Sequence, residues 1–564
     1  MNNQQIAQIL YEIAEILEMQ DVKFKPFAYR KAAQSIEALT RDIKEIYKEG
    51  KLRDIPGVGE SISKKIEELI KTGKLKAYEK LKKKMPVNLQ ELGSIQGMGP
   101  KTIKKLYQKL KIKNLKDLEK AAKLGKIRKL EGLGEKREEE ILENIGFKKK
   151  TGKRFLLGLI LPEAEAIKNA LNQLKEVKKI ELTGSLRRMK ETIGDVDILA
   201  VSADPGKTMD FFAKMNDVEK VLVKGLTKSS IRLRSGINAD IRLVSLSSFG
   251  SALQYMTGNK SHNIKLRNIA KDKGLKLSEY GIFKGNKQVS GKTEEEVYRK
   301  LGLRYIEPEL REDTGEIDAA KKNKLPDLIN YNDVKGDLQM HTNYSDGNNT
   351  VLEMAQYAKK IGHKFIAITD HAGNLKIAGG MTAREITAQG KEINKIKSIK
   401  VFHGIEANIQ KNGAIDVPDN ILKDIDVVIA AIHSGFKQDK TTITNRLLTA
   451  MDNKHVNIIA HPTGRLLLKR KGYEFDLQKV FDKARERGIA LEINAFPDRL
   501  DLDSDKVRLA VENKVKLSIG TDAHSTSQLD FYRLGIAVAR RGWANKNDII
   551  NTYSIDKLEK FLKW

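Results

Sequence analysis

Three aspartates stand inside segments that otherwise have the composition of buried strands. Asp195 and Asp197 belong to the run GDVDILAV, and Asp240 belongs to NADIRLV. Residues two apart on a strand point to the same face, and Asp240 can join the pair from a neighbouring strand. Burying unpaired carboxylates is unfavourable, so a compensating cation is expected. Three converging carboxylates form an all-oxygen site that suits Mg²⁺.

The residues just upstream add a phosphate-binding element to this site. Gly184 and Ser185 precede a short turn that carries Arg187 and Arg188, a combination suited to cradling phosphates. Two Mg²⁺ ions could then activate an attacking hydroxyl and neutralise a leaving pyrophosphate. A lone Asp-x-Asp pair more often caps a loop, but the upstream Gly-Ser pair and the third aspartate favour the catalytic interpretation.

A second set of chemical residues lies in the C-terminal part of the chain, where histidines and acids follow predicted strands. A lone histidine after a strand is usually structural. Several together with acids at successive strand ends favour a multinuclear site for Mn²⁺, Zn²⁺ or Fe, which could bind a phosphate and supply a hydroxide nucleophile. These residues are His341, Asp346, Asp370, His371, His403, Glu406, His433, His461, Asp522 and His524.

The elements that must position these residues can be predicted from hydrophobic patterns. From Lys335 onward, apolar strands alternate with helices, which predicts an α/β barrel whose chemistry lies at the carboxyl ends of its strands. Residues 151–245 mix strands and helices, and residues 246–310 predict helices with short strands. The polar stretch that follows shows no periodicity, and we predict a linker over residues 313–333.

The first 150 residues predict helices broken by three similar turns, each an apolar residue, Gly-x-Gly and an amphipathic helix. The glycines allow a close approach, and the following helix N-terminus can receive a phosphate. A single such turn would more often be only a helix cap. Three of them favour binding of a nucleic-acid backbone by shape and charge. The glycines are Gly57, Gly59, Gly97, Gly99, Gly132 and Gly134.

Composition is consistent with a polyanionic partner. The chain has 564 residues and a net charge of +29, with an excess of 13 positive charges in residues 1–150 alone. A lysine-rich solvated surface is the alternative explanation. The absence of cysteine excludes disulfides and thiolate metal sites. The sequence has no cationic leader and no apolar run of membrane-spanning length, so a cytoplasmic protein is expected.

The segment GSLRRMKETIGDVDIL resembles the palm signature of the family X DNA polymerases, the DNA polymerase beta-like group. PFAYRKAAQSI, IPGVGESISKKI, QYMTGNKSHNIKLR and LRYIEPELRE are similar to further segments of that family. The resemblance implies a helical lyase-like domain over residues 1–85 and helix-hairpin-helix fingers over 86–150. It also implies a nucleotidyltransferase palm over 151–245 and a thumb over 246–312.

The resemblance also implies roles for individual residues. Asp195 and Asp197 would hold two Mg²⁺ ions, with Asp240 at the ion near the primer 3′ hydroxyl. The remaining residues would contact the incoming nucleotide: the triphosphate by Gly184, Ser185, Arg188 and Gly194, the sugar by Tyr255 and Gly258, and the base and template by Asn263 and Arg267. Asn238 and the Asn259-Lys260 pair depart from the animal repair enzyme.

Lys65 stands where the family has a Schiff-base lysine. An amine nucleophile must lose its proton, and the neighbouring Lys64 is expected to help lower its pKa. Ser61, however, replaces a lysine of that pocket. A phosphate-contacting surface lysine and a 5′-deoxyribose-phosphate lyase therefore both stand as interpretations.

The C-terminal pattern resembles the PHP (polymerase and histidinol phosphatase) domain that bacterial and archaeal family X polymerases carry, here over residues 334–564 as a distorted (β/α)7-like barrel. Glu406 would bridge two of up to three Mn²⁺ or Zn²⁺ ions, with His403 a neighbour only, and Arg465 and Arg499 would clamp phosphate. Gln339 replaces the first histidine of the family's opening motif and offers only a neutral oxygen. The implied ligands are His341, Asp346, His371, Glu406, His433, His461, Asp522 and His524.

Together these features predict a monomeric, nucleoid-associated repair enzyme. It would fill short gaps in duplex DNA bearing a 5′-phosphate, using dNTPs, and process 3′ ends as an exonuclease, 3′-phosphatase or abasic-site endonuclease. One alternative is a DNA-binding scaffold with residual chemistry, which the intact aspartate triad disfavours. The other is a small-molecule phosphatase fused to a nucleotidyltransferase, which the three glycine turns and the basic N-terminal region disfavour.

Overall fold

The computed structural model describes residues 1, 3–37, 39, 42–93, 95, 98–151, 154–373 and 379–563. Within this part of residues 1–151 the regular structure is helical, as predicted. Gly97, one of the predicted DNA-binding glycines, lies outside the described residues. The helices are α1 Asn3–Met19, α2 Lys25–Glu37, α3 Ile43–Lys48, α4 Glu60–Thr72, α5 Lys76–Lys84, α6 Leu89–Gly93, α7 Pro100–Leu110, α8 Leu115–Lys123 and α9 Glu135–Thr151.

Helix α4 shows why these segments fold as they do. Its Ile62, Ile66 and Leu69 recur at helical spacing and are buried, so they form one apolar face. The helix follows Gly59, which is extended, and ends at Gly73, which adopts the left-handed conformation at φ +68°. Such a glycine is a frequent helix terminator because it has no Cβ to clash.

Residues 155–243 form a central sheet of five strands flanked by helices. The strand order is β2-β4-β7-β6-β5, and β4 and β7 are parallel neighbours. Helix α10 packs on this sheet and also on the C-terminal barrel, because a Cβ on its Gly158 would lie 2.7 Å from Leu534 and Pro497. The elements are β1 Phe155–Leu156, α10 Leu157–Asn172, β2 Val177–Leu182, α11 Gly184–Arg187, β3 Thr192–Ile193, β4 Asp195–Ser202, α12 Pro205–Ala213, β5 Val218–Lys224, β6 Lys228–Leu233 and β7 Asn238–Leu243.

Helices and a small antiparallel sheet follow the central sheet. The segment predicted as a linker over residues 313–333 contains a helix over residues 316–321. Ile317 and Ala320 of this helix join the core of the preceding helices, and the buried Glu316 carboxylate lies 2.6 Å from His262 Nδ1. The elements are α13 Phe249–Thr257, α14 Lys260–Asp272, β8 Lys276–Ser278, β9 Gly281–Lys284, β10 Lys287–Ser290, α15 Glu294–Lys300 and α16 Glu316–Lys321.

The C-terminal region forms a parallel seven-stranded sheet in sequential order, and a parallel bridge between Met340 and Ala523 brings its two edges together. The predicted seven-stranded barrel, and with it the mixed helical and α/β fold class, is confirmed. The elements are β11 Gly336–Asp337, α17 Val351–Lys360, β12 Phe365–Ile368, α18 Ala383–Ile393, β13 Lys400–Asn408, α19 Asp419–Leu422, β14 Val427–Ala431, α20 Lys440–Asp452, β15 Val456–Ile459, α21 Leu477–Arg487, β16 Ala490–Asn494, α22 Ser504–Glu512, β17 Leu517–Gly520, α23 Tyr532–Arg541 and α24 Ile555–Leu562.

In the described part of the chain, none of the helices combines the length and apolar character that crossing a membrane requires.

Candidate active sites

The strand register brings the three sheet aspartates to one face. Asp197 on β4 lies directly opposite Asp240 on the parallel strand β7. Asp195, two residues before Asp197 and on the same face, lies opposite Asn238. Asp195 is exposed, whereas Asp197 and Asp240 are half-buried. The cluster therefore opens to solvent on one side, where a ligand can enter.

The electrostatics of this cluster favour a cation. Burial, together with the charges of Asp195 and Asp240, raises the pKa of Asp197 to about 6. The Lys228 ammonium, which lies 2.8 Å from Asp240 Oδ2, and the charge of Arg188 compensate part of this negative charge. The remaining negative charge on an all-oxygen donor set fits divalent ions such as Mg²⁺.

The loop at Gly184 approaches this cluster closely. Gly184 has φ +62°, and a Cβ there would lie 2.5 Å from Asp197 Oδ2. The Thr183 amide also donates to the Asp197 carbonyl oxygen over 2.8 Å. These contacts hold the predicted phosphate loop against the aspartates. Ser185 in this loop is half-buried, and Gly194, which directly precedes Asp195, is exposed.

The two arginines of this loop are both engaged by acids. Arg187 makes a bidentate pair with Glu294, with distances of 2.9 and 2.7 Å. Arg188 Nε donates to Glu312 over 2.6 Å, and its Nη1 donates to the Thr257 carbonyl oxygen over 2.6 Å. Sequence reasoning identified Arg188 but not its carboxylate partner, because Glu312 is 124 residues away.

The predicted sugar and base contacts fall into two groups. Tyr255 and Gly258 flank a turn at the end of α13, and Asn263 stabilises that turn by donating to their carbonyl oxygens over 2.7 and 3.0 Å. Asn263 is buried and also accepts from Gln254 over 2.9 Å. Its amide therefore organises the turn in this structure. Arg267 is exposed on α14.

A second centre lies at the carboxyl end of the barrel, arranged around the fully buried Glu406. Its Oε2 lies 3.4 Å from His341 Nε2 and 3.3 Å from His371 Nδ1. Its Oε1 lies 3.2 Å from His433 Nε2 and 3.1 Å from His461 Nε2. One carboxylate thus faces four imidazoles contributed by four strand ends.

Two further acids complete this centre. Asp522 Oδ1 lies 3.0 Å from His341 Nε2, and Asp346 lies 3.4 Å from His524 and 3.8 Å from His371. Imidazole and carboxylate donors in this mixture suit Mn²⁺, Zn²⁺ or Fe²⁺. Among the residues that the structure describes, three groups each have ligand atoms within 4.8 Å of one another: His341, Asp346, His371 and His524; His371, Glu406 and His433; and His341, Glu406 and Asp522.

The charges of the centre are strongly coupled. Burial opposes a charge on His341, but its hydrogen bond to Asp522 and the negative charges of Asp522, Asp346 and Glu406 together outweigh burial and raise its pKa to about 10. Burial lowers the pKa of His371 to about 4. Burial opposes ionisation of Asp346, yet His524, His341 and His371 lower its pKa to about 2. Neighbouring imidazoles also hold the pKa values of Glu406 and Asp522 below the usual range, so these three acids are ionised at neutral pH, as metal ligands must be.

The two predicted phosphate clamps lie in different places. Arg499 Nε is 3.4 Å from Asp522 Oδ2, so this guanidinium borders the barrel centre. Arg465 instead pairs with Glu191 of the central domain over 2.6 Å and donates to the Arg499 carbonyl oxygen over 2.9 Å. Its guanidinium joins two domains in this structure. His403 faces α18, where a Cβ on Gly390 would meet its ring at 2.9 Å.

Sequence reasoning missed Glu492 and did not assign a role to Asp370. Glu492 is fully buried on β16 and accepts from the His461 amide over 2.6 Å, and burial raises its pKa well above the usual range. Asp370 accepts from the Thr342 amide and from Gln389, over 2.7 and 2.6 Å. An acid inside the apolar run ALEIN was the available signal for Glu492.

Gln339, the neutral residue that replaces the first histidine of the motif, lies two positions before His341. It is fully buried, and neither of its side-chain amide atoms has a hydrogen-bond partner within the described part of the chain.

Lys65 lines a cavity of about 850 Å³ between α2 and α4. Its Nζ donates to Ser61 Oγ over 2.8 Å and lies 5.9 Å from the centre of the Tyr29 ring. Its pKa is lowered by burial. The expectation that Lys64 lowers it is wrong, since Lys64 points to solvent and pairs with Glu60 over 2.8 Å.

The described glycines of the three turns precede helices. Gly57 has φ +79°, and a Cβ there would lie 2.9 Å from Lys31. Gly59 and Gly99 are extended residues directly before α4 and α7. Gly132, at φ +74°, and Gly134 precede α9. Each turn thus presents a helix N-terminus to solvent.

Comparison with protein families agrees with this architecture. Helix-hairpin-helix models match residues 1–75 and 89–146, the DNA polymerase beta thumb model matches residues 252–312, and the PHP domain model matches residues 337–496. A sheet with an aspartate cluster, a thumb and a PHP barrel together define a nucleotidyltransferase joined to a metal-dependent phosphoesterase.

Whole-chain similarity then identifies the family. The chain is 37% identical over 572 residues to the DNA polymerase/3′-5′ exonuclease PolX of Bacillus subtilis, covering 100% of both proteins. The chain therefore belongs to the family X DNA polymerases that carry a C-terminal PHP domain. Its barrel is also 28% identical to a probable phosphatase of Thermoanaerobacter sp. and 29% identical to one of Caldanaerobacter subterraneus, each over 38% of the chain and over 88% and 85% of those proteins.

Proposed function

We propose that this enzyme fills short gaps in duplex DNA by two-metal nucleotidyl transfer and processes 3′ ends at the barrel. The observation that carries the first activity is the register of Asp197 against Asp240, with Asp195 on the same face. These carboxylates would hold two Mg²⁺ ions, which supply charge neutralisation and a more acidic primer hydroxyl. Gly184, Ser185, Arg188 and Gly194 would orient the triphosphate.

We propose that the remaining nucleotide-side residues act mainly through shape. Tyr255 and Gly258 border the turn beside Arg188, whose guanidinium donates to Thr257 within that turn. Asn263 would support this turn, and exposed Arg267 would reach the template. The glycine turns would hold gapped or nicked DNA with a 5′-phosphate, and an enzyme that binds chromosomal DNA would be associated with the nucleoid in the cytoplasm. A monomer suffices, because both sites lie within one chain.

We propose that the barrel removes nucleotides or phosphate from 3′ ends. Its eight ligand side chains would hold Mn²⁺ or Zn²⁺, which provide a hydroxide at neutral pH and bind the phosphate. Glu406 would lie between two ions, because its two oxygens face different pairs of histidines. Arg499 would orient the phosphate, whereas the pairing of Arg465 with Glu191 favours a structural role for that residue.

A lyase activity at Lys65 is a second candidate function, favoured by two observations. The amine lines a cavity and its pKa is lowered by burial, as a Schiff-base nucleophile requires. Borohydride trapping on DNA with a 5′-deoxyribose phosphate tests it. Covalent capture that is lost in Lys65→Ala and kept in Lys64→Ala supports a lyase; equal capture in both variants refutes it.

The polymerase proposal is tested on a one-nucleotide gap with a 5′-phosphate, in Mg²⁺, with each template base in turn. We expect insertion of the complementary nucleotide by wild type and by Asp272→Ala, an exposed aspartate on α14. Asp197→Ala should lose insertion. Insertion that persists in Asp197→Ala would place the chemistry elsewhere and favour the scaffold alternative.

The 3′-end proposal is tested on a labelled primer without dNTPs, in Mn²⁺. His461 follows β15 and His455 precedes it. The two alanine variants therefore each remove one imidazole, at opposite ends of the same strand. We expect His461→Ala to lose 3′ degradation and His455→Ala to retain it. Release of phosphate from histidinol phosphate but not from DNA would instead support the small-molecule phosphatase.

A further inference from the structure

Glu312 lies among three cationic side chains that come from two domains. Its Oε1 accepts from Arg188 Nε over 2.6 Å and lies 3.6 Å from Arg541 Nη1. Its Oε2 lies 3.6 Å from the Lys190 ammonium. Arg188 and Lys190 belong to the loop that precedes the aspartates, whereas Arg541 is the last residue of barrel helix α23. One carboxylate thus serves three cations.

Arg541 is a buried member of this cluster that keeps an unused donor. Its side chain is only 6% exposed, its Nη1 donates to the Arg188 carbonyl oxygen over 3.1 Å, and its Nη2 donates to Ser504 Oγ over 3.5 Å. Its Nε has no hydrogen-bond partner within the described part of the chain. A buried guanidinium with an unused donor is unfavourable, so Arg541 has capacity for a closer carboxylate partner.

Arg188 is occupied in the arrangement that the structure shows. Its guanidinium is held by Glu312 and by the Thr257 carbonyl oxygen, whereas the proposed function requires it to bind a triphosphate. Turning to the nucleotide would leave Glu312 without its strongest partner. A half-buried carboxylate would then need another cation, and Arg541 is adjacent.

We infer that Arg541 of the PHP domain is a positioning residue for the polymerase site, which takes over Glu312 when Arg188 turns to the incoming triphosphate. The inference rests on the proposed role of Arg188. Glu312 is then a competing anion for Arg188, and the barrel adjusts dNTP affinity through that carboxylate. Arg541 itself need not touch the nucleotide.

This coupling predicts opposite effects from two substitutions. Glu312→Gln removes the competing charge and frees Arg188, so dNTP affinity should rise. Arg541→Met removes the alternative partner, so Glu312 holds Arg188 more tightly and dNTP affinity should fall. Because Arg541 acts through Glu312, the double variant should behave like Glu312→Gln alone.

The test is an equilibrium dNTP titration, in Mg²⁺, of the full-length enzyme bound to a gapped duplex whose primer ends in a dideoxynucleotide. We expect the Kd to rise at least about fivefold in Arg541→Met and to fall at least about fivefold in Glu312→Gln. Arg541→Lys keeps the charge and should restore most of the affinity. Arg533→Met, an exposed arginine on the same helix, is the matched control and should leave the Kd unchanged.

Thermal unfolding and Mn²⁺-dependent 3′ degradation are measured in parallel and should be unchanged in Arg541→Lys and Arg533→Met. The inference is overturned if Glu312→Gln weakens or does not alter binding, if the two single effects simply add in the double variant, or if no dNTP binds at all. Failure of the proposed function gives a different result. In that case the wild-type enzyme does not extend a primer that ends in a 3′ hydroxyl, even where the titration detects dNTP binding.

Discussion

The pKa of Asp197 indicates that the aspartate cluster is suited to binding a cation. Its pKa is raised to about 6, first by burial and then by two neighbouring acids, so the metal-free fold disfavours its ionised form. Divalent ions bind the ionised form and must compete with protons for it.

We therefore predict that Mg²⁺ binding weakens as pH falls through about 6, by about tenfold per unit for this one proton. The measurement is the Mg²⁺ concentration at half-maximal insertion at pH 7.5, 6.5 and 5.5. Lys228→Met should move the effect to higher pH, because the Lys228 charge lowers the pKa of Asp197. A Mg²⁺ requirement independent of pH over this range would contradict the prediction.

Gly184 provides a steric prediction at the same scale. Gly184→Ala would place a methyl group 2.5 Å from Asp197 Oδ2 at φ +62°, so the aspartate must move and insertion should fall by at least about a hundredfold, as for other misplaced catalytic groups. Gly236→Ala is a matched control, because Gly236 has φ +88° but no other group lies within 4 Å of the position that its Cβ would take. It carries similar backbone strain and should retain insertion.

At the scale of elements, the strand ends could be predicted from the sequence, whereas the contacts between distant elements could not. Apolar runs followed by His or Asp predicted the barrel strands and which end carries the chemistry, since parallel strands place those ends together. The pairing of Arg465 with Glu191 spans 274 residues, and no local pattern encodes it. The same reason explains the partner of Arg188.

The helix within the predicted linker could not be predicted for a related reason. The segment is mostly polar, yet Ile317 and Ala320 pack on the preceding core and Glu316 is hydrogen-bonded to His262. Two apolar residues are too few to establish a period, so tertiary contacts decided the structure. Glu492 was not predicted because it is a single acid within an apolar strand, and that strand contains no second acid or histidine that would form a site with it.

The different placements of the two clamp candidates give an element-scale prediction. Arg499→Met, beside Asp522, should reduce 3′ degradation at least about tenfold by losing a charge-assisted phosphate contact. Arg465→Met should instead destabilise the fold by about 3 kcal/mol, because it leaves Glu191 largely buried without its partner. Degradation kinetics and denaturant unfolding of both variants separate these effects. If Arg465→Met instead reduced 3′ degradation without destabilising the fold, the result would contradict the structural role and support a phosphate-binding role for Arg465.

At the scale of the whole molecule, positive charge is distributed along the chain and is most dense in the first 150 residues. Binding of DNA by neutralising phosphates releases counterions. We predict that affinity for a gapped duplex falls by about a thousandfold between 50 and 200 mM salt. Fluorescence anisotropy titrations measure it, with Lys104→Met and Lys105→Met on α7 expected to lower the salt slope. A salt-independent affinity would favour a non-DNA substrate.

The palm and the barrel are joined through α10, through Arg465 with Glu191, and through Arg541 with the Arg188 loop. They nevertheless use separate ligand sets at separate strand ends. The two centres therefore lie on connected domains, and we propose that one extends and the other trims the same 3′ end.

The most direct test follows both reactions on one labelled primer in a one-nucleotide gap, with dNTPs and Mg²⁺ or with Mn²⁺ alone, for wild type, Asp197→Ala and His461→Ala. We predict that Asp197→Ala loses extension and keeps 3′ degradation, while His461→Ala does the reverse. Loss of both activities in either variant, or extension that survives Asp197→Ala, would contradict the existence of two independent centres.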